Sequence, residues 1–199
     1  AKELKAASAS GADAAGSAPA VAPEASLPVL LWGVLGVCAY LGYGVKKVVP
    51  IVRQGVEAIT APWQWALLAA TVGFFAYVEG YKGFQKGFSP RVVRRAWCVA
   101  QKGVGPLWHK ALAPAFCIGY FHGTKARVIA SWMVTTIIFL VVVGVKRLPN
   151  PYRAIIDAGV IVGLAWGVVS ALVILAGSLA KGKSPEFQPA LPAGTPYVI

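Results

Sequence analysis

Apolar residues in this chain gather into long runs separated by short basic or proline-marked breaks. The pattern has neither the two-residue period of a half-buried strand nor the narrow stripe of a soluble amphipathic helix. Between 27 and 45 the only polar side chains are the hydroxyls of Tyr40 and Tyr43, and Lys46 and Lys47 close the run at about the length a hydrocarbon core requires. Pro50 is expected to end that helix and leave 51–60 as an interfacial connector. Pro62 suits the first turn of a second spanning helix over 63–81, with Trp63 and Trp65 at one boundary and Tyr77, Tyr81 and Lys82 near the other. A third run, 128–145, is β-branched and almost free of polar groups, and a fourth, 153–179, is long enough to tilt. These runs predict an all-α integral membrane domain over 27–180 with four transmembrane helices.

Between the second and third runs lies a belt, 82–127, with nine basic residues and no acid. Its Arg91, Arg94, Arg95, Lys102, Lys110, Lys125 and Arg127 alternate with Trp97, Trp108, Phe116, Tyr120 and Phe121, the composition of a segment at a lipid headgroup boundary. Ser89 and Pro90 read as N-cap and first residue of an amphipathic helix reaching about Gln101. Val92, Val93, Ala96, Trp97 and Ala100 share its apolar face, and Arg91, Arg94, Arg95 and Lys102 fall largely on the other. The stretch 106–121 is apolar but short and broken by Pro114, so a re-entrant or surface helix is expected; a span there would be a fifth crossing. With four crossings both termini share one side, and the excess of positive charge puts belt and tails on the cytoplasmic-equivalent face.

Composition supports the membrane reading. Hydrophobic residues make up 57% of the 199, charged residues 13%, and mean hydropathy is +0.66, against about 25% charged in soluble domains. The net charge of +12 flanks apolar runs instead of forming a soluble basic patch, which favours anionic lipid over nucleic acid as partner. Residues 1–26 are too poor in large apolar groups to offset ordering entropy and read as a flexible tail. A start at Ala1, without Met, is consistent with removal of an organelle presequence, and an arbitrary cut in a longer chain would look the same. The Pro-rich 181–199 reads as an extended strap. Three cysteines without a CxxC pair read as packing thiols.

Catalytic signatures are missing. The sequence carries no phosphate loop, nucleophile elbow, paired catalytic carboxylates or metal tetrad, so it does not read as an enzyme. His109 and His122 are the only histidines. A lone imidazole near a membrane surface is most often a solvated or capping residue; its functional alternative is axial ligation of pigment magnesium or haem iron. On that alternative His122, His109, Glu79 and Gln64 are the candidate ligands. Asp157 and Glu79 are intramembrane acids, readily explained as boundary ion pairs of Arg153 with Asp157 and of Glu79 with Lys82 or Lys86. Gly159, Gly163 and Gly167 stand four apart, and Gly33 and Gly36 thin the first run; both faces invite close approach of another helix.

The segments Tyr77-Val78-Glu79-Gly80-Tyr81-Lys82-Gly83-Phe84-Gln85, Phe88-Ser89-Pro90-Arg91 and Ile155-Ile156-Asp157-Ala158-Gly159 resemble small integral membrane proteins of bacteria and plastid-bearing algae, a family without an assigned activity. The resemblance covers about 63–179 and carries over no catalytic residue. It implies a plastid protein serving as accessory subunit of a large thylakoid complex, such as a photosystem with its antenna, with chlorophyll, carotenoid and lipid as expected contacts. The competing expectations are a small homo-oligomeric channel or carrier built around Asp157, and an accessory subunit of a respiratory complex in the mitochondrial inner membrane.

Overall fold

The computed structural model describes residues 25–197, so the expected N-terminal tail, apart from Ala25 and Ser26, lies outside the described residues. The elements are α1 (Leu27–Val56), α2 (Pro62–Phe75), a π-helical segment (Ala76–Phe88), α3 (Ser89–Val99), α4 (Leu107–Ala111), α5 (Ala113–Ile118), α6 (Lys125–Val145) and α7 (Tyr152–Lys181). The described residues hold no strand, and all the architecture is helix on helix. α1, α6 and α7 are long and apolar enough to cross a membrane.

One expected boundary and one expected cap are corrected. α1 does not stop at Pro50 but carries it inside the helix and runs on to Val56. Proline there removes one backbone donor, and continued packing against α7, where Gly55 meets Ala154, holds the last turns in place. At Ser89, where α3 does begin, it is the expected capping role that changes. Its N–H still bonds the Phe84 carbonyl five residues back, and its hydroxyl meets Ser170 Oγ at 2.7 Å instead of capping. α2, the π segment and α3 therefore form one continuous rod over 62–99. Pro90 is tolerated where π hydrogen bonding hands over to α, because a missing donor costs least where the ladder changes register.

This rod lies parallel to α7. Trp63 lies beside Tyr152 with ring centroids 6.2 Å apart; Phe75, Glu79 and Phe84 then meet Gly159, Gly163 and Gly167 in turn, and Trp97 donates to Ser178 Oγ at 3.2 Å. The π coil explains the register. Contacts along α7 recur every four residues, whereas those on the rod step by four and then five, as the wider coil requires. α1 runs antiparallel to α7, pairing Gly44 with Leu164 and Gly55 with Ala154. Because rod and α7 are parallel, the chain must return the length of the bundle between them, and α6 is that return.

α6 stands apart. Only 6% of its apolar stretch is buried, against 28% for α1 and 33% for α7. It is pinned near its start, where Ser131 Oγ and an Arg127 guanidinium nitrogen both donate to the Ile118 carbonyl and Tyr120 Oη meets Thr135 Oγ1 at 3.0 Å. Beyond Thr135 its large apolar side chains, Ile137 to Val142, are exposed.

Candidate functional site

The belt folds over one end of the bundle and buries its charge in an unexpected way. Arg95, expected on the lipid-facing surface, is 0% exposed. The correction has a simple helical reason: Arg95 lies three residues after Val92 and four before Val99, on the face that packs inward. Its Nε donates to the Phe116 carbonyl at 2.7 Å, one terminal nitrogen to Pro189 at 2.9 Å, and the other to Phe121 at 3.2 Å and His122 at 3.1 Å. The guanidinium also lies 4.4 Å from the Phe116 ring centroid. Burial lowers its pKa to about 10, so it stays charged at neutral pH and is satisfied by carbonyl dipoles alone. One side chain thus joins α3, α5, the turn before α6 and the C-terminal strap.

Beside it the two histidines meet. Thirteen residues apart in sequence, their ring centroids lie 4.6 Å apart, within a cluster formed by Trp108, Phe116, Phe121 and Tyr197. His109 is 3% exposed, not solvated as expected, and its Nδ1 is hydrogen-bonded to the Tyr197 hydroxyl. His122 adopts a left-handed backbone at φ 49°, and its Nε2 is buried with no hydrogen-bond partner. Both rings pack among aromatic side chains, with the His109 Nδ1 engaged by Tyr197 and the His122 Nε2 left unpartnered.

Tyr197 is the residue that sequence reasoning missed. The strap, residues 182–197, turns back across α3 and ends with this ring 2% exposed. The available signal was Gly103-Val104-Gly105-Pro106, a glycine-marked turn of the kind that allows close backbone approach. Gly105 has φ +72, and a Cβ there would fall 1.8 Å from the Tyr197 hydroxyl. Gly105→Ala should therefore expel Tyr197 and loosen the strap at a cost of about 1–3 kcal/mol. Hydrogen exchange over 189–197 in the detergent-solubilised protein checks this, and unchanged protection would count against the packing described.

The remaining candidates go elsewhere. Gln64 folds back so that its side-chain oxygen accepts from the Thr60 and Ala61 N–H groups, capping α2. Glu79 does not pair with Lys82 or Lys86 but points against Gly163. The two lysines lie over the rings of Tyr77 and Tyr81 at 4.8 and 4.5 Å. Asp157 pairs with Arg153 at 3.6 Å, as its spacing suggested. Gly159, Gly163 and Gly167 are filled by Phe75, Glu79 and Phe84 of the same chain, and Gly33 and Gly36 by Cys117 and Pro114 of α5. These glycine faces therefore serve internal packing and are not open to another subunit. Lys102 and Lys125 are exposed, and Arg91, Arg94, Lys110 and Arg127 are partly so. Among the described residues no cluster of three or more His, Cys, Asp or Glu side chains could hold a metal ion. The sequence matches no protein-family model, no curated protein and no solved structure, so geometry and chemistry carry the functional reading.

Proposed function

We propose that the protein is a non-catalytic accessory subunit of a large membrane complex, with four crossings and with α6 as its docking arm. The second crossing in this reading is the rod over 62–88, which the three-helix count omits because a π coil interrupts it. The parallel run of rod and α7 supports it, since a companion that follows a spanning helix from Tyr152 to Ser178 shares its depth. Belt and strap then sit together on one face.

The observation that carries the docking role is the isolation of α6. Its apolar stretch is the most hydrophobic of the three spanning candidates and the least buried. In lipid, helices associate through packing and not through aversion to solvent, so a helix whose siblings leave it bare offers its whole circumference to partner helices, pigments or lipid. Chlorophyll and carotenoid belong in this reading along α6, not on His109 or His122. A photosystem–antenna supercomplex in the thylakoid is the preferred setting, on the resemblance of 63–179; a mitochondrial respiratory complex is the alternative. The channel reading loses its main support, because the glycine groove is occupied and Asp157 is paired.

Photo-crosslinkers placed at Met133 and Phe139 in the native membrane test the assignment. Crosslinks to another subunit, with the complex co-migrating in mild detergent, are expected; products with lipid only would overturn it. Pigment absorption of the isolated complex separates thylakoid from mitochondrion.

A further inference from the structure

Two imidazoles, His109 buried and His122 half-buried, lie side by side against a permanent cation, a setting that disfavours a charged ring. The groups facing them are Arg95 and Cys98 from α3, Trp108 from α4, Phe116 from α5, Phe121 from the turn before α6, and Tyr197 from the strap. None of these is a carboxylate, and the strap's own acid, Glu186, is exposed. Among the described residues a proton arriving on either ring would meet Arg95 and no carboxylate.

The strap is fastened over this cluster at five points. Arg94 bonds the Ser184 hydroxyl, Arg91 lies 5.3 Å from the Phe187 ring centroid, and Arg95 holds the Pro189 carbonyl. The Thr124 N–H donates to Ala190 at 3.0 Å, and Tyr197 meets His109. Three of the five points use arginines of the belt, so the strap covers the face that was expected to meet lipid. The last fastening sets the strap's own ring against the imidazole pair, so a charge placed on either ring is felt at the strap.

We propose that residues 182–197 form a proton-released clasp: with His109 and His122 neutral the strap is held across α3, and protonation of either ring frees it and uncovers Arg91 and Arg94. Burial, then the neighbouring imidazole and Arg95, push the His109 pKa below the usual histidine range, and burial and Arg95 do the same to His122. The fastened state thus binds protons less readily than the released one. The clasp is at full strength above about pH 6.5, the ordinary histidine value, and weakens as the pH falls below it.

The test uses the full chain in phosphatidylcholine nanodiscs with a nitroxide on Ala193→Cys, attached at pH 7.5. Ala193 is exposed on the strap, and the three native cysteines are buried. Between pH 8 and pH 5 the ratio of mobile to immobile signal should rise about tenfold. His122→Asn removes one imidazole while suiting the left-handed backbone and leaving the His109–Tyr197 bond in place, so it should move the rise to lower pH. A strap equally immobile at both pH values, or a midpoint unmoved in His122→Asn, overturns the proposal.

Discussion

Arg95→Ala should unfasten the belt end of the molecule at a cost of about 3–5 kcal/mol, the scale of several buried carbonyls losing their donor at once. The guanidinium satisfies carbonyls of Phe116, Phe121, His122 and Pro189, drawn from three separate segments. Its loss leaves these acceptors without a donor, each costing about 1–3 kcal/mol where water cannot reach. Arg95→Lys should recover only part of the loss, because an ammonium lacks the planar fork that spans diverging carbonyls. Arg95→Met tests the packing share, since it restores bulk without donors. Thermal unfolding in mild detergent, followed by tryptophan fluorescence, reads the total. Hydrogen exchange at 116–124 and 188–191 reads where the damage falls. An alanine variant that melts within about one degree of the parent would mean that the carbonyls find other partners and that Arg95 is not the joint.

Gly167→Leu and Gly159→Leu should each force rod and α7 apart, with a loss of about 2–3 kcal/mol. At Gly167 a Cβ would lie 2.6 Å from the Phe84 ring, and at Gly159 2.7 Å from the Phe75 ring. Aromatic rings wedged between helices have no free end to swing away. Gly163 is milder: the nearest atom there is Glu79 Oε2 at 2.7 Å, the end of a flexible side chain. Gly163→Ala should therefore cost less than either ring-facing change. Gly177, with nothing within 4 Å, supplies the control. Gly177→Ala should be neutral or stabilising by about 0.5–1 kcal/mol, since glycine in an open helix position carries an entropic penalty. Unfolding by increasing denaturing detergent fraction ranks the four variants. Equal losses at Gly167 and Gly177 would sink the rod-to-α7 register and, with it, the support for a crossing over 62–88.

The ranking also marks how far the chain could be read unaided. The runs at 128–145 and 153–179 became α6 and α7 to within three residues at either end, because long apolar stretches in lipid have only helix open to them. The pair Arg153–Asp157 was equally legible, being four residues apart on one helix. Proline was legible at Pro62, which opens α2, and at Pro90, in the first turn of α3, but not at Pro50. Pro50 and Pro90 each lose one donor, and packing along α7 outweighs that local penalty at both sites. The π segment escaped the reading because Tyr77, Tyr81, Lys82 and Lys86 look like any α-helical end until their partners are known.

Charge was the least legible property. Of the cations read together in 82–127, Lys102 and Lys125 stay exposed, whereas Arg95 is buried. A local rule assigns arginine to the surface, whereas four carbonyls from distant segments create an interior place for it. The His109–His122–Tyr197 cluster arises in the same way, from segments 13 and 88 residues apart.

Composition and run length by themselves determined that this protein is helical and apolar enough to cross a bilayer, because backbone polar groups in hydrocarbon must be satisfied within their own segment. The tertiary structure alone decided which glycine faces were already filled, which arginine turned inward and which helix was left bare. Each of those depends on contacts between residues far apart in the chain, and no local pattern encodes the partner on the other side of a contact.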